Sequence, residues 1–340
     1  MSESARPDAA GEATRAGAGP HRTFCTYFDS NYLLKGMALY RSLERHVPNF
    51  TLHVLCLDGA ALETLRTLNL PGLVAIPLEE LEAAQPRLLE AKSNRSTVEY
   101  YFTCTSSFVL HLRQRAAAGQ PITYLDADLW FFAPVEPLFD ELRGASVTMV
   151  GHRFPSGLEH LADHGIYNVG WLSFADDQNA RECLRWWSDR CIEWCYDRVE
   201  PGRYADQKYL DEWPRRFAGV HPIEHRGANV APWNVAASPI SRRDGLLYAG
   251  EAPLIFYHFA AFKRLAPGLY DPGLTSYGAR LTPALRDEIY RPYLAECHGI
   301  DERLRRLVPN YAGGWGSKRR PGPLALARLL LSGKLLVSGR

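Results

Sequence analysis

The stretch ITYLDADLWFF at 122–132 places two aspartates, Asp126 and Asp128, directly after a short run of strand-forming residues. Side chains alternate along an extended chain, so both carboxylates can point to the same side of a sheet edge. Two carboxylates held that close repel each other unless a cation lies between them. Hard divalent cations such as Mg²⁺ and Mn²⁺ take oxygen ligands and often share them with substrate phosphates. The pattern therefore favours a divalent-cation site at a strand end, with two solvated loop acids as the alternative.

The sequence before this stretch alternates between strand and helix patterns. Strands are predicted at 23–28, 51–57, 73–78 and 122–125, and helices at 33–46, 60–68, 79–91 and 97–115. This β-α-β-α-β order predicts an α/β fold in which a mostly parallel sheet is flanked by helices. Ligands bind such sheets at the carboxyl ends of the strands, which is where Asp126 and Asp128 lie.

The second half of the chain is less regular. Strands are predicted at 146–152, 167–174, 220–225 and 253–259, and helices at 177–198 and 205–213. Because residues 22–316 contain no internal repeat and no Gly/Ser-rich linker, we predict one domain over that range.

The composition excludes several classes of protein. The 340 residues carry 39 Lys and Arg against 38 Asp and Glu, and this balance argues against nucleic acid as a partner. No apolar run is long enough to span a membrane, and the first residues lack the apolar core of a secretory signal. Seven cysteines, an odd number, fit reduced thiols in a cytoplasmic protein.

The two ends of the chain differ from the middle. Residues 1–21 are rich in Ala, Gly and charge, which predicts a disordered tail. Residues 317–340 hold six basic residues, no acid and seven leucines. This composition predicts peripheral contact with an anionic membrane, on its cytoplasmic face, through an interfacial helix. A disordered basic tail and a helix packed on the domain are the alternatives.

Five segments, in order, resemble the family 8 glycosyltransferases of the GT-A fold, the group of glycogenin and bacterial lipopolysaccharide galactosyltransferases. YLDADLWFF resembles their Asp-x-Asp strand, and CTYFDSNYLLKGMALYRSL resembles their first strand, nucleotide loop and helix. Three later segments also resemble the family. They are IYNVGWLSF with its Asn, ADQKYL with its Asp-Gln pair, and FYHFAAFK with its His followed by a Lys. The match spans roughly residues 22–265.

The resemblance implies a metal site and a donor site. Asp126, Asp128 and His258 would hold Mn²⁺ or Mg²⁺. A core position on an aromatic strand is the alternative for His258. The family has an Arg before the Asp-x-Asp strand where this chain has Thr103, and Arg95 or Lys92 would replace it. The donor-binding residues implied are Thr26, Asp29, Asn31, Tyr32, Arg95 and Lys263.

The resemblance also implies an activity. The donor would be a nucleotide-diphospho-sugar, which in this family points to a UDP-hexose. Its sugar would pass to a hydroxyl of a glycan or glycolipid acceptor, with retention of the anomeric configuration. The resemblance places this reaction in bacterial polysaccharide biosynthesis. Asn168, Asp206 and Gln207 would line the sugar and acceptor side as the candidate catalytic residues. For Asp206 and Gln207 the start of a helix is the alternative interpretation.

Two other functions remain open at this stage. A haloacid-dehalogenase-like phosphatase also places Asp-x-Asp after an apolar strand, although about 100 ordered residues precede Asp126 here and that class needs the strand near the start. A non-catalytic scaffold of the GT-A fold would bind nucleotide without turnover. The intact Asp126, Asp128 and His258 speak against the scaffold.

Overall fold

A computed structural model describes residues 19–309, 311–316 and 334–337. The disordered tail predicted at 1–21 and the interfacial helix predicted within 317–340 therefore lie outside the described residues, apart from 19–21 and 334–337. None of the helices in the described part of the chain has the length and apolar character that crossing a membrane requires.

Strands and helices are numbered in chain order within these residues. The strands are β1 (Arg22–Phe28), β2 (Phe50–Cys56), β3 (Leu73–Pro77), β4 (Ile122–Leu125), β5 (Leu129–Phe131), β6 (Val147–Gly151), β7 (Tyr167–Phe174), β8 (Val220–Pro222), β9 (Ile240–Arg243), β10 (Leu246–Ala249), β11 (Ala252–Pro253), β12 (Phe256–His258), β13 (Lys263–Ala266), β14 (Leu269–Asp271) and β15 (Leu336–Val337). The α-helices are α1 (Leu33–His46), α2 (Gly59–Leu68), α3 (Leu78–Ala84), α4 (Arg87–Ser93), α5 (Thr97–Arg113), α6 (Glu136–Leu142), α7 (Gln178–Glu193), α8 (Trp213–Arg216) and α9 (Arg291–Leu307). Short 3₁₀ turns cover Glu159–His164, Lys208–Glu212, Val235–Ala237 and Thr275–Tyr277, and a π-helical turn at Leu285–Tyr290 leads into α9.

The central sheet has seven strands in the order β3-β2-β1-β4-β7-β6-β8. Strands β3, β2, β1 and β4 are parallel, and β8 is parallel to β6. Strand β7 runs antiparallel to both of its neighbours. The predicted α/β fold with a mostly parallel, mixed sheet flanked by helices is therefore confirmed. The chain reverses its strand order at β1 and β4, and a crevice opens at the carboxyl ends of strands at such a point.

The two faces of the sheet bury different sets of side chains. Alternation along β1 sends Phe24 and Phe28 into a core shared with α1 and α9, and sends Cys25 into a core shared with α5 and α7. Helix α1 packs closely on β1 because Gly36 has no side chain; an added Cβ would overlap the ring of Phe28. All seven cysteines are buried and unpaired.

The structure refines several predicted boundaries. The helix predicted at 79–91 is two helices, α3 and α4, separated at Gln85 and Pro86, as expected where proline prevents a continuous helix. The helix predicted at 205–213 is a 3₁₀ turn followed by the short α8. Within the predicted C-terminal tail, the structure describes Lys334 to Val337, where β15 pairs antiparallel with β14.

Candidate functional site

Two aspartates and a histidine form a cluster at the carboxyl end of β4. Asp126 and Asp128 follow that strand directly, and β12 brings His258 beside them by pairing antiparallel with β5. The Nε2 atom of His258 lies 3.0 Å from Oδ1 of Asp128 and 3.6 Å from Oδ2 of Asp126. One donor atom from each residue lies within 4.8 Å of the others, a combination found nowhere else in the described part of the chain. The three metal ligands implied by the resemblance are therefore adjacent in the structure.

The charges around the cluster differ between the two carboxylates. Burial raises the pKa of Asp126, with Asp128 as a further contributor, while His258 opposes the shift. Burial also acts to raise the pKa of Asp128, but the positive charges of Lys35 and His258 outweigh it and hold that pKa well below its usual range. The Nζ atom of Lys35 lies 3.4 Å from Oδ2 of Asp128. Two carboxylates and an imidazole are a donor set that suits Mn²⁺ or Mg²⁺.

A second group of residues holds the imidazole of His258 in place. Oδ1 of Asn229 lies 3.4 Å from Nδ1 of His258, and the Asn229 amide donates to the carbonyl of Gly151. Gly170 also packs against the ring, since an added Cβ there would lie 3.1 Å from Nδ1 of His258. The edge of Trp233 also contacts the ring, with centroids 5.2 Å apart. These contacts direct Nε2 toward the two aspartates.

The cluster forms the floor of a cavity of about 480 Å³ at the point where the strand order reverses. One wall is the loop after β1, with Asp29, Asn31 and Tyr32, and the opposite wall comes from α5, with Tyr101 among its residues. The Asp29 carboxylate also accepts hydrogen bonds from the backbone N–H groups of Asn31 and Tyr32. Asp29 is thus both a turn-forming residue and part of the cavity wall.

The residues expected on the sugar and acceptor side lie next to one another. The Asn168 amide donates to Oε1 of Gln207 at 3.0 Å, and Gln207 donates to the carbonyl of His164. Asp206 is 5% exposed, and burial raises its pKa to about 7. Its neighbour Ala205 has a φ of 45°, a strained backbone conformation for a residue other than glycine.

Three predicted donor-binding residues do not line the cavity. Thr26 is fully buried within β1. Arg95 donates to the carbonyl of Ile192 at the end of α7. Lys263 is 52% exposed, with its Nζ 3.5 Å from a carboxylate oxygen of Asp271.

Other site residues were not found by sequence reasoning. Lys35 occupies the first turn of α1, and Tyr124 donates from its hydroxyl to Oδ1 of Asp126 at 2.9 Å. Asn229 lies in an irregular segment before β9. For Lys35 the sequence held one indication, its position just after the nucleotide-loop pattern. The first turn of a helix that follows such a loop lies near the carboxyl ends of the strands.

Comparison with solved structures identifies the class of fold. The galactosyltransferase LgtC, in complex with donor and acceptor sugar analogues, matches with a TM-score of 0.53 at 19% identity, over 84% of this chain and 100% of that one. No protein-family model matches the chain. The fold and the Asp-x-Asp cluster define the chain as one of the GT-A type, the fold of nucleotide-sugar glycosyltransferases.

Comparison by sequence then gives the family. The uncharacterized protein YfnD of Bacillus subtilis strain 168 is 32% identical over 295 residues, which cover 86% of this chain and 94% of YfnD. The uncharacterized protein YfnF of the same strain is 31% identical over 248 residues, or 71% of this chain and 81% of YfnF. The chain belongs to the family of YfnD and YfnF.

Proposed function

We propose that this chain is a metal-dependent glycosyltransferase that moves a sugar from a nucleotide-diphospho-sugar to a hydroxyl group of an acceptor. The observation that carries the proposal is the Asp126, Asp128 and His258 cluster at the floor of a cavity of about 480 Å³. A metal-binding cluster inside a cavity at the strand switch point suits a ligand that brings phosphates to a cation.

The transfer breaks the bond between the anomeric carbon and a phosphate oxygen, and the electron pair stays on that oxygen. A bond forms from the anomeric carbon to the acceptor oxygen, and the proton of the acceptor hydroxyl passes to the leaving diphosphate or to solvent. A divalent cation held by Asp126, Asp128 and His258 would offset the negative charge of the leaving diphosphate.

The remaining residues of the cavity have separate tasks. Asp29 and Asn31 are placed to hydrogen-bond a base and ribose, and the exposed ring of Tyr32 offers a face for stacking. A mutual hydrogen bond holds Asn168 and Gln207 together, and the resemblance to family 8 implies that they line the sugar and acceptor side. We assign the orientation of the sugar to Asn168 and Gln207, and buried Asp206 is the third candidate catalytic residue.

The finer parts of the proposal follow from the resemblance to family 8. They are a UDP-hexose donor, retention of the anomeric configuration, and a glycan or glycolipid acceptor in polysaccharide biosynthesis. A cytoplasmic location, with 317–340 contacting an anionic membrane, suits a lipid-linked acceptor. A truncated chain ending at Gly316 that binds anionic vesicles as well as the full chain would contradict the membrane part.

A turnover assay tests the proposal directly. The protein is incubated with UDP-glucose or UDP-galactose and Mn²⁺, and release of UDP is followed with and without simple sugar acceptors. We expect UDP to be released and chelation of the metal to abolish this release. Asp128→Asn should reduce the rate of UDP release at least about a hundredfold, which is the usual effect of losing one key electrostatic contact in an active site. Asp140→Asn, the same change in an exposed ion pair with Arg143, should leave the rate unchanged. Hydrolysis of phosphate monoesters without any release of UDP would favour the phosphatase instead.

A further inference from the structure

We propose that Lys35 binds the diphosphate of the donor, as a fixed positive charge beside the divalent cation. This inference rests on the proposed function. It adds to the same site a residue that is not among the donor-binding residues implied by the resemblance. It replaces Arg95 and Lys263 in that task.

The position of Lys35 carries the inference. It lies in the first turn of α1, and its side chain is only 15% exposed. Its Nζ atom is 3.4 Å from Oδ2 of Asp128 and 4.2 Å from the centroid of the Tyr32 ring. Asp128 and Tyr32 both line the cavity, so the ammonium group lies between the metal ligands and the wall assigned to the nucleoside. A diphosphate joins those two parts of a nucleotide-sugar.

A diphosphate in the cavity would find no lysine or arginine among the described residues that line it. The residues that line it include aspartates, an asparagine, aromatic side chains and one histidine, but no lysine or arginine in the part of the chain that the structure describes. Arg95 is bound to α7 and Lys263 is beside Asp271. Among the lysines and arginines that the structure describes, Lys35 is the one that contacts a carboxylate lining the cavity.

The charges agree with this task. Asp126 and Asp128 together carry two negative charges when ionised, and a bound divalent cation offsets them. The ammonium of Lys35 is then left without a full counter-charge, next to the place where a diphosphate would bring several negative oxygens. An ammonium accommodates such a group as a point charge that donates up to three hydrogen bonds.

The test separates contact with phosphate from contact with the nucleoside. Calorimetry with saturating Mn²⁺ measures the affinity for uridine, UMP and UDP, which share the proposed base and differ in the number of phosphates. The proteins compared are the wild type, Lys35→Gln and Lys35→Arg. We expect Lys35→Gln to weaken UDP binding about 10- to 100-fold, as for a lost hydrogen bond to a charged group, and to leave uridine binding unchanged. Lys35→Arg should stay within about fivefold of the wild type for UDP, since it keeps the charge.

Two controls keep the result interpretable. Arg41→Gln removes a cation from the same helix, where Arg41 pairs with Glu44 and Glu296, and should bind UDP like the wild type. Titration with Mn²⁺ alone should show equal or tighter binding by Lys35→Gln, because Asp128 loses a competing cation. Unchanged uridine binding also shows that the variant is folded.

The contradicting outcomes are distinct. If Lys35→Gln binds UDP as tightly as the wild type and only its Mn²⁺ affinity changes, Lys35 merely balances Asp128 and this inference is wrong. If the wild type itself binds no nucleoside diphosphate with Mn²⁺, the proposed function fails and this inference fails with it.

Discussion

Nδ1 of His258 lies 3.4 Å from Oδ1 of Asn229, while Nε2 of the same ring faces Asp128 at 3.0 Å. Asn229 is fully buried and its own amide donates to the carbonyl of Gly151, which fixes the amide oxygen toward the histidine. An acceptor at Nδ1 favours the tautomer that carries its proton there and leaves the lone pair of Nε2 for a metal. Asn229 is thus a positioning residue for the cation site.

Replacing Asn229 by glycine tests this relationship. Asn229 has a φ of 55°, which glycine adopts without strain, so the change removes mainly the two side-chain hydrogen bonds. We expect Mn²⁺ affinity to fall about 10- to 100-fold in calorimetry, the usual effect of losing such a partner. Asn69→Gly is the matched control, because Asn69 has a φ of 41° and ends α2 at an exposed position. Equal Mn²⁺ affinity in both variants would show that His258 needs no help from Asn229.

Gly170→Ala should distort the site by crowding Asn168 and His258. The added Cβ would lie 2.5 Å from Oδ1 of Asn168 and 3.1 Å from Nδ1 of His258, so one of the two side chains must move. We expect a loss of about 1–3 kcal/mol in the free energy of unfolding, as for an overpacked core, together with weaker Mn²⁺ binding.

Gly299→Ala adds the same methyl group at a position with free space and is the control for Gly170→Ala. Gly299 lies inside α9 with nothing within 4 Å of an added Cβ. Gly299→Ala should therefore raise the free energy of unfolding by about 0.5–1 kcal/mol and leave Mn²⁺ binding unchanged. Urea denaturation and calorimetry measure the two effects, and a neutral Gly170→Ala would contradict the packing described for His258.

Asp206 should make the stability of the fold depend on pH. Burial raises its pKa in the folded state to about 7, above the value of about 4 in an unfolded chain. The folded state therefore binds more protons than the unfolded state in this window, and stability falls as the pH rises from about 4 to 7.

The neutral variant Asp206→Asn isolates that effect. At about 1.4 kcal/mol per pH unit, the wild type should lose about 2–3 kcal/mol between pH 5 and 7 relative to Asp206→Asn. Urea denaturation of both proteins with a chelator present measures the difference. Parallel stability curves for the two proteins would show that Asp206 is ionised when folded.

Gln207→Ala should separate binding of the donor from transfer. Gln207 contacts Asn168 and the carbonyl of His164 but does not line the nucleotide cavity. We expect kcat for sugar transfer to fall roughly tenfold or more while the affinity for UDP with Mn²⁺ stays within about twofold. An equal loss of UDP affinity would place Gln207 in the nucleotide site instead.

Local sequence patterns predicted the elements that carry the site. The strand before Asp126 and the helix at Leu33–His46 have the apolar spacing that such elements need, and the structure has them at those positions. The carboxyl ends of β1 and β4 meet because the two strands are parallel neighbours, which the element order implied. That part of the site could therefore be predicted without a structure.

Residues that depend on long-range packing could not be placed in this way. His258 joins the aspartates because β12 pairs with β5, and the sequence pattern of a strand does not tell which other strand it pairs with. Arg95 was expected at the donor site, but it lies in the turn between α4 and α5 and donates to the carbonyl of Ile192 in α7. Which side of α1 faces the site depends on the rotation of that helix, so the sequence alone did not place Lys35 in the first turn of α1 beside Asp128.

The central claim is that Asp126, Asp128 and His258 bind a divalent cation that in turn binds a nucleoside diphosphate. Calorimetric titration of UDP, GDP, ADP and CMP, with and without Mn²⁺, into the wild type and Asp128→Asn tests it most directly. We predict binding of one nucleoside diphosphate, UDP, that requires Mn²⁺ and is lost in Asp128→Asn. Binding that is equal with and without Mn²⁺, or absent for every nucleotide, would contradict the claim.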